Sequence, residues 1–155
     1  MIKRLVKNER GLTLIELLAV IVILGIIAAI AIPAIGGLID NSKKDAHVSN
    51  AQQMINAAKI AVTADKDLIP ANSNGGTTEI SLGQLENDGY LETLKDPDGN
   101  KTSYNRTASK VVITNNNNKL SYSVKLVNGT RGVQNSDGSP VDEDELKRSA
   151  VRKKP

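Results

Sequence analysis

The sequence predicts an α+β protein: one long N-terminal helix, apolar in its first half and amphipathic in its second, with a small antiparallel sheet laid against the second half. Three observations lead there. Apolar residues crowd the stretch from Leu12 to Ile39, broken only by Thr13, Glu16, Pro33 and three glycines. Beyond it, Val48, Ala51, Ile55, Ala58 and Val62 recur at alternating spacings of three and four, the stripe of an amphipathic helix. Farther on, Lys110–Thr114 and Lys119–Val127 are strand-like. In the second, Leu120, Tyr122, Val124 and Leu126 alternate with Ser121, Ser123, Lys125 and Val127.

The first element is a short basic segment, residues 1–11. The 155-residue chain holds 20 Lys and Arg against 17 Asp and Glu, a net +3 that would suit a polyanion-binding protein. Its location argues otherwise. Lys3, Arg4, Lys7 and Arg10 against Glu9 account for the whole excess, so residues 12–155 carry balanced charge. General basicity is therefore no argument for nucleic acid, and no sequence-specific nucleic-acid partner is expected.

Residues 12–39 form the second element. From Leu17 to Ile35 no side chain is charged or hydrogen-bonding. Twenty helical residues span about 30 Å, the thickness of a bilayer's hydrocarbon core. The alternative is a buried helix of a soluble protein. The remaining chain, whose only aromatics are three tyrosines, lacks the apolar surface to surround a helix that is hydrophobic all round. Basic residues precede the segment, while Asp40, Lys43, Lys44 and Asp45 after it cancel. That asymmetry predicts a single span with a cytoplasmic N-terminus and an exported C-terminal part. A secretory signal peptide fits less well: the run is long for an h-region of about 7–15 residues, and no A-x-A-like site followed by polar sequence closes it.

The junction between these elements, Arg10-Gly11-Leu12-Thr13-Leu14-Ile15-Glu16, together with the apolar run to Pro33-Ala34-Ile35, resembles the class III signal of type IV prepilins and pseudopilins. The resemblance covers about 30 residues and implies a great deal. A prepilin peptidase/methyltransferase would cut between Gly11 and Leu12 and methylate the new amine of Leu12. The rest would be a pilin-like head on a long helix, assembled by a pilus assembly platform into a homo-oligomeric filament. On this reading the chain is a structural pilin subunit, held in the inner (cytoplasmic) membrane before assembly and on the cell surface afterwards. The alternative is a pseudopilin of a competence DNA-uptake or type II secretion filament. A membrane-anchored binding module that never polymerises is a third reading. Leu12 departs from the family's usual phenylalanine.

Two residues within the span call for a physical account. A carboxylate in the bilayer costs about 2.5–3.5 kcal/mol on insertion scales, so Glu16 must be paired, neutral or near the interface. The resemblance implies that it pairs with the Leu12 amine of a neighbouring subunit and sets register during assembly; a place at the headgroup level is the simpler reading. Pro33 removes a helical donor and crowds the carbonyl four residues back. With Gly36-Gly37 next to it, a bend, local unwinding or helix termination is expected.

Residues 40–66 continue as the amphipathic half of one helix running from about 12 to 66. Residues 67–133 form the head: a polar loop through Gly75-Gly76, a short helical turn before Gly89-Tyr90-Leu91, and a composition turn at Lys95–Asn100. A hairpin follows through Asn115–Asn118, then a turn at Asn128-Gly129. In the charged tail, 134–155, Ser139 as N-cap, Pro140 and the acids Asp142–Glu145 start a helix well, with Lys147, Arg148, Arg152, Lys153 and Lys154 at its end. An exposed helix or a disordered end is predicted.

Chemistry for catalysis is sparse. The chain has no cysteine and one histidine, His47, read as a surface residue. No phosphate loop, triad or paired carboxylates emerge, so no catalytic, cofactor-binding or metal residue is assigned and no enzyme is expected. Asp96-x-Asp98-x-Asn100 has a calcium-like spacing, and the turn resembles one in type II secretion pseudopilins. However, Lys101 and Thr107 stand where an EF-hand needs Gly and Glu. Asn105-Arg106-Thr107 and Asn128-Gly129-Thr130 match glycosylation sequons.

Overall fold

The computed structural model describes residues 13–71, 75–99 and 103–155. The chain divides into two units, Met1–Ile39 and Asp40–Pro155. The first consists, over its described residues, of the apolar half of helix α1 (Leu14–Ala64). Its large apolar side chains from Leu14 to Ile39 are each 47–85 % exposed, left uncovered by the described residues. The helix passes through Pro33 and Gly36-Gly37 without interruption, and the expected local unwinding or termination there does not occur. Longer than a span needs and apolar over that half, α1 can cross a membrane.

The second unit is the head. The C-terminal half of α1 turns Ala51, Met54, Ile55, Ala57, Ala58, Ala61 and Val62 into a core, the stripe expected from periodicity with Met54 and two further alanines added and Val48 only partly buried at its start. Onto that face packs a six-stranded, wholly antiparallel sheet. Its strands are β1 (Gly76–Ser81), β2 (Lys110–Asn116), β3 (Lys119–Val127), β4 (Arg131–Val133), β5 (Val141–Asp142) and β6 (Val151–Lys153). The order is β1-β2-β3-β4-β6, with β5 paired to β3 beside β4. Val111 and Ile113 of β2, Val124 and Leu126 of β3, and Val133 of β4 are fully buried. The alternation read in β3 is thus the core face.

Turn chemistry sets the register. Asn117 and Asn118 have φ of 52° and 66°, the two left-handed positions of a tight hairpin that suits the twist of its strands. Asn115 and Asn116 belong to β2 itself. Helix α2 (Leu82–Asn87) opens on a capping box between Ser81 and Gln84. It closes at Gly89, φ 78°, after which Tyr90 and Leu91 both donate to the Leu85 carbonyl. Gly132 admits no other residue: an added Cβ would lie 2.1 Å from the Leu126 carbonyl oxygen.

Two expectations are corrected. The polar loop over residues 71–79 is in part β1, an edge strand whose only buried residue is Ile80, so no apolar alternation marks it. The C-terminal segment is neither an exposed helix nor disordered. It folds back as β5, two 3-10 turns (Glu143–Glu145 and Arg148–Ala150) and β6. An isolated helix of that length is marginal in water. The extended path instead buries Val141, Ala150 and Val151 in the core.

Candidate functional site

Gly11 and Leu12, the expected cleavage and methylation positions, lie outside the described residues. The helix start beside them is described. Thr13 and Glu16 form a reciprocal cap: the Thr13 amide and hydroxyl donate to Glu16 Oε2 at 2.8 and 2.7 Å, and the Glu16 amide donates to Thr13 Oγ1 at 3.3 Å. This T-x-x-E capping box satisfies two otherwise orphaned backbone donors and begins α1 at Leu14. The two residues that interrupt the apolar run are therefore one device. Glu16 is exposed in the single chain, and its carboxylate has a partner without any neighbour. Pro33 sits within α1, exposed like its surroundings.

The densest polar constellation lies in the head, and its centre is His47. It is fully buried rather than on the surface. The reason is its position four residues before Ala51, which places it on the buried stripe. Its ring meets Tyr104 edge-on at 5.6 Å between centroids. His47 Nδ1 lies 2.7 Å from the Tyr104 hydroxyl, which accepts from Asn50 Nδ2 at 3.1 Å. A buried phenol that accepts from Asn50 keeps its proton for Nδ1, so Nε2 is the nitrogen that donates to Asp98 Oδ2, 3.0 Å away. Asn50 also donates to the Lys95 carbonyl. Burial pushes the Tyr104 phenol well above its usual range.

Asp98 is the hub. Arg131 grips it with Nε on Oδ2 at 2.9 Å and Nη2 on Oδ1, and reaches Asp40 Oδ1 with Nη1 at 2.7 Å. The guanidinium holds the Asp98 carboxyl far below the ordinary carboxylate range, helped by Asn128 and His47. In return, Asp98 and Asp40 raise Arg131. Asn128 donates to Asp96 Oδ2 at 2.8 Å and Asp98 Oδ2 at 3.0 Å, while its own carbonyl receives the amides of Thr130 and Arg131. The result ties the 95–99 turn and the β3–β4 turn to α1.

His47, Asp96 and Asp98 offer ligand atoms within 4.8 Å of one another, the spacing of a metal cluster. The donor set does not fit calcium, which takes six to eight free oxygens. Both Asp98 oxygens already accept from Arg131, both Asp96 oxygens accept from the Asp98 amide and Asn128, and Asn128 turns its NH2 inward. Arg131 supplies the positive charge an ion would bring. Of the two sequons, Asn128 is buried in this network; Asn105 is exposed, its carbonyl accepting from Thr107 and Ala108.

Tyr104, Arg131 and Asn128 escaped the sequence reading as members of a site. The signal that could have found the cluster is the helical spacing of His47 and Asn50 with the buried stripe.

No curated protein and no solved structure matches the chain. The prokaryotic N-terminal methylation motif matches residues 6–32, spanning the basic segment, the Gly11-Leu12 junction, Glu16 and most of the apolar run. The chain thus carries the class III prepilin signal of type IV pilins and pseudopilins, at the start of a pilin-like α+β fold.

Proposed function

We propose that the chain is a structural pilin subunit. The leader is cut between Gly11 and Leu12, the Leu12 amine is methylated, and the mature chain polymerises through its apolar helix into a type IV pilus or pilus-like filament. The observation that carries this reading is the pairing of the methylation motif with a helix half whose apolar side chains are left exposed by the described residues. A bilayer covers them before assembly and neighbouring copies of the same helix cover them afterwards. Pro33 is then the place where the helix bends during packing. The clamp around Arg131 does the work of holding the head together in a chain without cysteine.

Glu16 has the finer role. Its carboxylate exchanges the Thr13 cap for the Leu12 amine of a neighbour, a contact that low dielectric strengthens and misregister penalises. Glu16→Ala tests it. Intact-mass measurement should show normal leader loss and methylation, while electron microscopy shows no filaments. Normal filaments from the variant would refute the assembly role. Surface pili in the wild type, against loss of transformation or secretion without visible pili on deletion, separate the pilin from the pseudopilin.

A further inference from the structure

Asn128 is followed by Gly129. An asparagine before glycine is chemically labile, because a neighbour without a side chain lets its amide nitrogen approach the carboxamide closely. The Gly129 nitrogen bonds to Asn128 Cγ, the Cγ–Nδ2 bond breaks, and ammonia leaves carrying the Gly129 amide proton. Water then opens the succinimide ring. Opening at Cγ leaves aspartate, and opening at the main-chain carbonyl leaves isoaspartate.

The fold holds this residue at both ends of its carboxamide. Asn128 is 5 % exposed, whereas Gly129 beside it is exposed. Nδ2, the leaving group, donates to Asp96 Oδ2 at 2.8 Å and Asp98 Oδ2 at 3.0 Å. Oδ1 accepts from the Thr130 and Arg131 amides at 2.8 and 2.7 Å. Attack turns Cγ from planar to tetrahedral, and these four hydrogen bonds oppose that change. The departing amine also needs a proton. Asp98, kept ionised by Arg131, has none to give.

The product does not fit back. In aspartate, an anionic oxygen replaces the NH2 that now lies within hydrogen-bond distance of Asp96 and Asp98, so three carboxylates would crowd together. Isoaspartate adds a main-chain atom to the turn that the Asn128 amide closes on the Arg131 carbonyl at 2.9 Å. Either product opposes the arrangement that had protected its precursor.

We propose that Asn128-Gly129 is a deamidation site gated by the clamp. In the closed head the carboxamide is inert. When the 95–99 turn parts from the β3–β4 turn, Asn128 is released and converts, and the new carboxylate bars closure. The site therefore records an opening of the head irreversibly, with water as the only co-reactant and no enzyme. The proposal concerns the head alone and rests on neither the membrane-spanning nor the filament reading.

The test follows the full-length chain in micelles, in mildly alkaline buffer, at a temperature where tyrosine fluorescence reports a folded head. Peptide mapping localises the mass gain of an amide-to-acid exchange to Asn128, since Asn74-Gly75 carries the same chemistry. The folded wild type should convert Asn128 at least about tenfold more slowly than the same chain in denaturing urea, with the rate rising as the head unfolds. Arg131→Met, assayed while still folded, should convert roughly tenfold faster than the wild type. Asp96→Ala, which removes one acceptor of Nδ2 and leaves the Arg131–Asp98 pair, should act in the same direction and serves if Arg131→Met does not fold. Asn128→Asp, the product itself, should melt lower than Asn128→Ser, which loses the amide without gaining a charge. Equal rates in the folded and urea-unfolded wild type would overturn the proposal. So would folded clamp variants that protect Asn128 as well as the wild type, since the turn alone would then be the guard. An Asn128→Asp head as stable as Asn128→Ser would refute the bar to closure.

Discussion

Replacing Arg131 with methionine removes the guanidinium but keeps an apolar stem of similar reach. In the wild type the Arg131 and Asp98 side chains are each 15 % exposed. Breaking a buried pair by removing one partner costs about 3–5 kcal/mol, because the survivor is left uncompensated. Asn128 and His47 still donate to Asp98 and cushion the loss, which points to the lower end. The Asp40 arm adds little, since that carboxylate is 45 % exposed and keeps Lys44. The expected loss is therefore about 3 kcal/mol, or roughly 10–15 °C in the melting temperature of a head this size. The chain has no tryptophan, and its three tyrosines, Tyr90, Tyr104 and Tyr122, all lie in the head. Tyrosine fluorescence of the full chain in micelles therefore reports head unfolding alone. pH supplies a second axis. A carboxyl depressed in the folded state leaves the unfolded chain binding more protons, so its stabilisation is present above the unfolded value of about 3.9 and lost as pH falls below it. The deficit of the variant should be full at neutral pH and shrink below about pH 4. A loss under about 1 kcal/mol at neutral pH would mean that the pair is effectively solvated, and the clamp argument would be wrong.

Three further substitutions probe other parts of the head. Gly132→Ala puts a methyl group into the backbone of Leu126 and Val127, which cannot yield as a side chain would; soluble yield should collapse, or the melting temperature fall by at least about 10 °C. Val141→Asp places a charge at a position 1 % exposed and should unfold the head in a thermal melt, whereas a tail standing free as a helix would tolerate it within about 0.5 kcal/mol. Asn118→Val forces a β-branched residue to φ 66° and should cost about 1–3 kcal/mol in denaturant titration.

What could be read from the sequence followed strong periodic signals. Helix α1 showed itself through an unbroken apolar run joined to a three-and-four stripe, and β3 through clean alternation; both elements bury or expose whole faces. Strand β1 was hidden because its threonines and glutamate face solvent at a sheet edge, and strand pairing with β2 depends on residues some thirty positions away. The tail misled for a related reason. Its Ser139, Pro140 and acidic start are genuine local helix signals, but three apolar residues, Val141, Ala150 and Val151, outweigh them once a core is there to receive them. A lone histidine reads as a surface residue, and only its place four residues before Ala51, extending the stripe, marks His47 as buried. Arg131, Asp98 and Tyr104 could not be joined to it at all: long-range ion pairs leave no local pattern. The Thr13–Glu16 box, by contrast, is present as a four-residue T-x-x-E spacing, set inside an apolar run that carries the stronger signal.

The contacts that join the sheet and tail to α1 are spread along the helix: Arg131 at Asp40, Arg148 at Asp45, Asp98 and Tyr104 at His47, the Lys95 carbonyl at Asn50, and Glu143 at Gln52 and Lys59. They act sideways, across the axis, over roughly 28 Å of helix. A pull directed along α1 therefore loads them together, in shear, and the force is shared among them. A pull across the axis would open them one after another. The head is fastened in the manner of a lap joint, strong along the helix axis and weak to peeling. Without a cysteine, this joint needs no oxidation to set.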